Sequence, residues 1–261
     1  MHPHPHQQSG HGVRFDWGPT GARRLAPDVS CVVVVDVLSF TTAVTVAVEA
    51  GTCVFPYRWR DGTAAAYAAQ QDASLAVGRR QAGAASPWTL SPAALRGAPF
   101  TPRLVLPSPN GSAIAASAAG TRVVASALRN AAAVGNWLAR HGYGTPDRPV
   151  ALIAAGERWP DGSLRPALED LFGAGAVIDA LHRHVGEALS PEAAAAASAY
   201  RATPDIEAAV AESASGRELI EGGFPQDVMI ATERDTCAVV PVLVDGAFCD
   251  RADSPPHQTS G

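Results

Sequence analysis

The chain has 261 residues, 47% of them hydrophobic and 17% charged, with a formal net charge of −5. That length can bury a core without disulfide or metal staples, and the acidic balance argues against a general nucleic-acid binder. There are 52 alanines and no lysine, so all 20 basic residues are arginine. This excludes a Walker A loop, a Schiff-base or pyridoxal-phosphate lysine and a catalytic lysine of the haloacid-dehalogenase type.

The leading segment over 1–12, MHPHPHQQSGHG, carries His2, His4, His6 and His11 and is polar and proline-broken, so it reads as a disordered His-rich tail. A second loose tail is expected over 251–261 and a single α/β domain over 13–250. The apolar runs fall short of a membrane span and the start lacks the charged-then-apolar order of a signal peptide, so a cytoplasmic protein is expected. Between the tails, β-branched runs alternate with alanine-rich stretches, the pattern of a three-layer α/β/α fold with a mixed, largely parallel central sheet. Strands are expected at Cys31–Val37, Cys53–Tyr57, Leu75–Val77, Leu104–Leu106, Arg122–Ala125, Val150–Ala154 and Ala238–Val244. CVVVVDV and VALIAA are apolar at nearly every position, as central strands covered on both faces should be. Helices are expected at Thr41–Ala50, Thr63–Gln71, Ser112–Ala119, Asn130–Arg140, Leu168–His184 and Pro191–Tyr200, with a last pair between Pro204 and Glu221. The region Ala82–Pro102, rich in proline, alanine and serine, reads as a long loop of functional type. Cys31, Cys53, Cys237 and Cys249 form no Cys-x-x-Cys pair, and Cys31 and Cys53 lie in apolar runs that suit buried free thiols. His182 and His184 are two apart on a helix, so their rings do not form one ligand set.

Ligands of open α/β sheets bind beyond the carboxyl ends of the strands, and three such ends carry polar residues. Asp36 closes VVVVD ahead of Thr41 and Thr42; its carboxylate suits a divalent cation, attack on phosphorus, or a helix cap. Asn110-Gly111-Ser112 separates a strand from a helix, where Gly111 is free to take positive φ and bring N–H groups against an anion; Asn-Gly is also an ordinary turn. Gly156 and Glu157 leave the third strand, and Glu169-Asp170 open the next helix, beside Arg158 and Arg165. Those carboxylates suit either the helix N-terminus or a phosphate ester with its Mg²⁺. Without lysine, an oxyanion falls to backbone amides or to Arg79, Arg80, Arg129, Arg158, Arg165 or Arg217.

The order VVVVDVLSFTTAVTVAVEAGT, VGRR, WTLSP, LVLPSPNGSAIA, ALRNAAAV, AAGE…LEDLFGAGAVID, SGRELIEGGFPQDV and VVPVLVDGAF resembles the 2-phosphosulfolactate phosphatase family from about Val32 to Phe248. The resemblance implies an α/β, Mg²⁺-dependent acid phosphatase that converts 2-phospho-3-sulfolactate to 3-sulfolactate, a step toward coenzyme M. It marks Asp36, Thr41, Thr42, Asn110, Gly111, Asn130, Gly156, Glu169, Asp170, Gly216 and Arg217. Ser39 stands where the family pattern has arginine, and Arg79 in Gly78-Arg79-Arg80 where it has glutamate. The Gly-Asn before Ser91-Pro92 is missing. Either Arg79 restores the charge lost at position 39, or the substrate has changed or catalysis has gone.

The expectation is a Mg²⁺-dependent phosphomonoester hydrolase acting on a small organic-acid phosphate. Asp36, Glu169 and Asp170 are its expected catalytic and metal residues, with Asp36 open as nucleophile or ligand. Thr41, Thr42, Arg79, Asn110, Gly111, Ser112, Asn130 and Arg217 are the expected substrate-binding set. The expected partner is a small anionic phosphorylated substrate, with no nucleic acid and no membrane; a homodimer is left open. The rival readings are a non-catalytic metabolite-binding protein on the same scaffold and a hydrolase of another bond, for which no triad is evident.

Overall fold

The computed structural model describes residues 5–253 apart from 59, 60, 82, 84, 85, 119 and 187, so His2, His4 and the tail beyond 253 lie outside the described residues. The elements run β1 (Val13–Trp17), α1 (Gly18–Leu25), β2 (Cys31–Val35), α2 (Phe40–Glu49), β3 (Cys53–Tyr57), α3 (Thr63–Gln70), β4 (Ser74–Leu75), α4 (Pro92–Gly97), β5 (Arg103–Pro107), α5 (Gly111–Ser117) and β6 (Arg122–Ser126). They continue with α6 (Ala131–Arg140), β7 (Val150–Ala154), β8 (Glu157–Arg158), β9 (Leu164–Arg165), α7 (Leu168–Val185), α8 (Pro191–Ala202), α9 (Ile206–Glu212), α10 (Ala214–Glu221), α11 (Pro225–Thr232), β10 (Pro241–Val244) and β11 (Ala247–Asp250).

Nine strands form one sheet in the order β1-β7-β2-β6-β10-β11-β3-β5-β4. β1, β7, β2 and β6 run parallel, as do β3, β5 and β4; the antiparallel hairpin β10–β11 joins the two groups. The expected mixed, largely parallel α/β/α architecture is therefore present. Alternation explains the two faces. Cys31, Val33 and Val35 of β2 pack with Trp137, Phe172, Val177 and Leu181 of α6 and α7, whereas Val32 and Val34 pack with Leu25, Phe40, Val44 and Ile114 of α1, α2 and α5. α7 comes close enough that a Cβ on Gly173 would fall 2.7 Å from Val35 and Val37. No helix of the described residues is long and apolar enough to cross a membrane.

The structure differs from expectation in four places. β1, β11 and the helices α1 and α11 were not foreseen: AFCD is short and PQDVMIAT shows no clear period, whereas the strict alternation of VRFDW and the amphipathic spacing of GPTGARRL were signals left unread. The region Ala82–Pro102 contains α4, capped by Ser91 Oγ, which accepts from Ala94 N. From Gln8 onward the leading segment is fastened to β1: the Gln8 amide donates to Phe15 O and accepts from Phe15 N at 2.7 and 3.0 Å. Cys53 is no free thiol but is disulfide-bonded to Cys249 across β3 and β11; Cys31 and Cys237 are free and buried.

Candidate active site

The carboxyl ends of β2, β5 and β7 meet at one edge, as the sequence placed them. Asp36 follows β2 and is almost fully buried. Its Oδ1 accepts from Ser39 N (3.0 Å) and Phe40 N (3.2 Å), and its Oδ2 from Gly111 N (2.9 Å). Asp170, in the first turn of α7, accepts from Val37 N at 2.7 Å and from Gly156 N at 2.8 Å. The two side chains thus tie the ends of β2, β5 and β7 to each other and to α7. Burial raises the pKa of Asp36 against the pull of these amides and of Arg79. Asp170 is raised well above the usual range by burial and then by the charges of Asp36 and Glu169.

This geometry gives the expected metal residues partners within the protein. Asp36 and Asp170 direct both carboxylate oxygens at main-chain N–H groups, and Glu169 is buried with Ser213 Oγ 3.3 Å from its Oε2. Among the described residues, no group of three or more His, Cys, Asp and Glu is arranged to hold a metal ion. As they stand, these carboxylates spend their bonds on main-chain amides and a serine hydroxyl rather than converging on one Mg²⁺ position.

Several expected anion contacts are likewise engaged within the protein. Thr41 Oγ1 donates to Asp36 O and Thr42 Oγ1 to Val37 O. Gly111 does not adopt positive φ; its amide serves Asp36, and it is glycine because a Cβ would fall 2.2 Å from the Phe40 ring. Asn130 is fully buried and braces the end of β6, accepting from Ala127 N and donating to Val239 O. Gly216 makes room for the Val210 carbonyl, 1.9 Å from where its Cβ would stand. Arg217 is exposed and paired with Glu212. Arg129 is buried between Glu49 and Glu233. None of these side chains lines the main cavity.

That cavity, about 700 Å³, is walled by Leu38, Arg79, Arg80, Gln81, Glu157 and Ser215, among others. Arg79 Nε donates to Asp227 Oδ2 at 3.0 Å, while Asp227 Oδ1 accepts from Ser91 Oγ and Ala93 N. One buried carboxylate thus binds the 78–81 turn to α4 and α11. Among the described residues four buried side-chain polar atoms lack a partner, and three of them, Ser39 Oγ, Ser112 Oγ and Arg79 Nη2, belong to this edge. Ser39 itself supplies one of the amides that grip Asp36, Ser112 follows Gly111, which supplies another, and Arg79 acts on Asp36 electrostatically. Unsatisfied buried donors are rare in native proteins, and each calls for an explanation such as a water, an ion or a ligand.

Glu157 completes the edge. It is half-buried, accepts from Asn110 Nδ2 at 3.0 Å, and is pushed up to about 7 by burial and by Asp36 and Glu169, against Asn110 and Arg165. Sequence reading named it only as a residue leaving β7 and passed over it for the site; Asp227 and Ser91 were missed as well. The signal available for Glu157 was its position after a buried strand and a glycine, with two further carboxylates downstream.

A family model described as 2-phosphosulpholactate phosphatase matches residues 21–246. The chain belongs to that family. No curated protein matches the sequence. As a member of the 2-phosphosulpholactate phosphatase family it falls among the phosphoric monoester hydrolases, and the matched span covers all three strand ends, the Arg79 turn and Asp227.

Proposed function

We propose that the protein hydrolyses the phosphomonoester of a small organic acid whose acid group, sulfonate or carboxylate, is a second anion on the same molecule. The observation that carries this reading is Arg79 on the cavity wall with its Nη2 left unpaired, and Ser39 Oγ and Ser112 Oγ unpaired deeper in, beside a fixed Asp36. Hydroxyls and a guanidinium suit a phosphate dianion. Arg80 and Gln81 on the cavity wall offer donors to the second anion. The cation that the family pattern places at position 39 is supplied here from Arg79, which supports compensation over loss of function. No step is routed through a metal, because no group of His, Cys, Asp and Glu among the described residues is arranged to hold one.

The test is phosphate release from 2-phospho-3-sulfolactate, phospholactate and phosphoglycolate, each with and without Mg²⁺, beside an uncharged alkyl phosphate. Release from the acid esters that far exceeds release from the alkyl ester is expected, and Arg79→Ala should raise KM. Thermal stabilisation by the acid products with no turnover of any ester would instead favour the binding-protein reading.

A further inference from the structure

We infer that Glu157 is a catalytic general acid that protonates the ester oxygen as it leaves phosphorus; this rests on the phosphomonoesterase reading above. Four carboxyls cluster at the strand ends, and their surroundings divide the labour. Asp36, Glu169 and Asp170 are 5%, 1% and 3% exposed and stand behind the cavity wall. Glu157 stands on it, in the same wall as Arg79, Arg80 and Gln81. The turn at Gly156, with φ 64°, carries the chain out of β7 so that the next residue faces this space. A Cβ there would fall 2.7 Å from Leu164 and 2.9 Å from Arg165 O, so the turn is tightly fitted.

Asn110 Nδ2 holds Oε2 of Glu157 and leaves the other oxygen outside that bond. The charged groups acting on Glu157 are Asp36 at the end of β2, Glu169 on α7 and Arg165 on β9. Arg79 and Arg80 share its wall on one side, and Arg23, Arg58 and Arg158 on the other, where a second cavity of about 420 Å³ adjoins. A carboxyl balanced near neutrality holds its proton for part of the working range and can give it up in one step.

In that step water adds its oxygen to phosphorus while the P–O ester bond breaks. The ester oxygen takes the Glu157 proton and departs as the alcohol. The proton shed by the added water returns through solvent to the carboxylate, so one water is consumed and the acid is regenerated.

Such an acid matters in proportion to how poor the leaving group is. Glu157→Gln should lower kcat about 10²–10⁴-fold on an alkyl acid ester such as phospholactate, with KM little changed. On 4-nitrophenyl phosphate, whose leaving group needs little protonation, the loss should be far smaller. The wild-type kcat on the alkyl ester should fall as pH rises through about 7, and this limb should be absent in Glu157→Gln. Asn110→Ala removes a bond that favours the charged form and should move the limb to higher pH. Equal losses on both esters, or a wild-type profile without the limb, would overturn the role of Glu157 while leaving the phosphatase reading intact. A wild type that releases phosphate from no ester would overturn the reading itself, and the role with it.

Discussion

From β1 to β6 the sheet is parallel, every residue of β2 and β7 is buried, and helices cover both faces. From β11 to β4 only β5 is buried along most of its length, one face carries just the small cluster of Phe55, Ala68, Val105 and Ala247, and the Cys53–Cys249 disulfide joins neighbouring strands. The first region is held by apolar area. Its strand ends are stiff enough for Asp36 and Asp170 to be pinned by five main-chain amides. In the second region, where less apolar area is buried, a covalent link contributes. There the site's cations ride on a turn secured through Asp227. The site therefore pairs fixed acids from one region with turn-borne cations from the other.

The sharpest way to break this contrast is to remove the link. Replacing both Cys53 and Cys249 by serine should cost about 2–5 kcal/mol in denaturant unfolding. Amide exchange should rise in β3, β5 and β11 while β2 and β7 stay protected. A uniform rise across the sheet would erase the distinction.

Asp170→Asn comes next, because an amide can accept only one of the two N–H groups well; the other, at Val37 or Gly156, is left unmatched. The expected cost is about 1–3 kcal/mol. Mg²⁺ titrated calorimetrically into wild type and into this variant should give the same response. Saturable binding confined to the wild type would restore the three-carboxylate cage.

Glu157 sharpens the comparison through pH. Its folded pKa of about 7 lies above the ordinary carboxyl value of 4.5, so between those pH values the native state binds more protons than the unfolded chain. Stability contributed by the neutral form is thus complete below 4.5 and is lost as pH rises toward 7. Glu157→Gln should remove that loss and be more stable than wild type at alkaline pH by on the order of 1–2 kcal/mol after solvent screening. Equal wild-type and variant pH curves would show that the carboxyl titrates normally. The smallest effect belongs to Arg217→Ala: no measurable change in stability or phosphate release is expected, since among the described residues its side chain is paired with the exposed Glu212.

The sheet was legible where strands are buried on both faces, since CVVVV and VALIA are apolar throughout, and their ends do meet at one edge. What the sequence hid was the direction of each polar bond. Asp36 reads identically as ligand, nucleophile or amide acceptor, and the amide bonds actually made, Gly111 with Asp36 and Val37 with Asp170, join positions 75 and 133 apart in the chain. Glu157 was passed over because its environment comes from β2, α7, β9 and the turn before α5, none adjacent in sequence. Cys53 and Cys249 read as unrelated thiols because the crossing that makes them neighbours depends on β11, a strand too short to announce itself.

That bond also gives the molecule a mechanical character. Cys53 and Cys249 are 196 positions apart, so when oxidised they close most of the chain into a loop that a pull on the two ends cannot reach. A single-molecule extension of the oxidised protein should therefore stop short of the reduced one by roughly 650–700 Å of contour. Most of the working edge, from the turn at Arg79 to Asp227, lies inside this loop and stays off the line of force, whereas Ser39, Asp36 and the whole of β2 lie outside it.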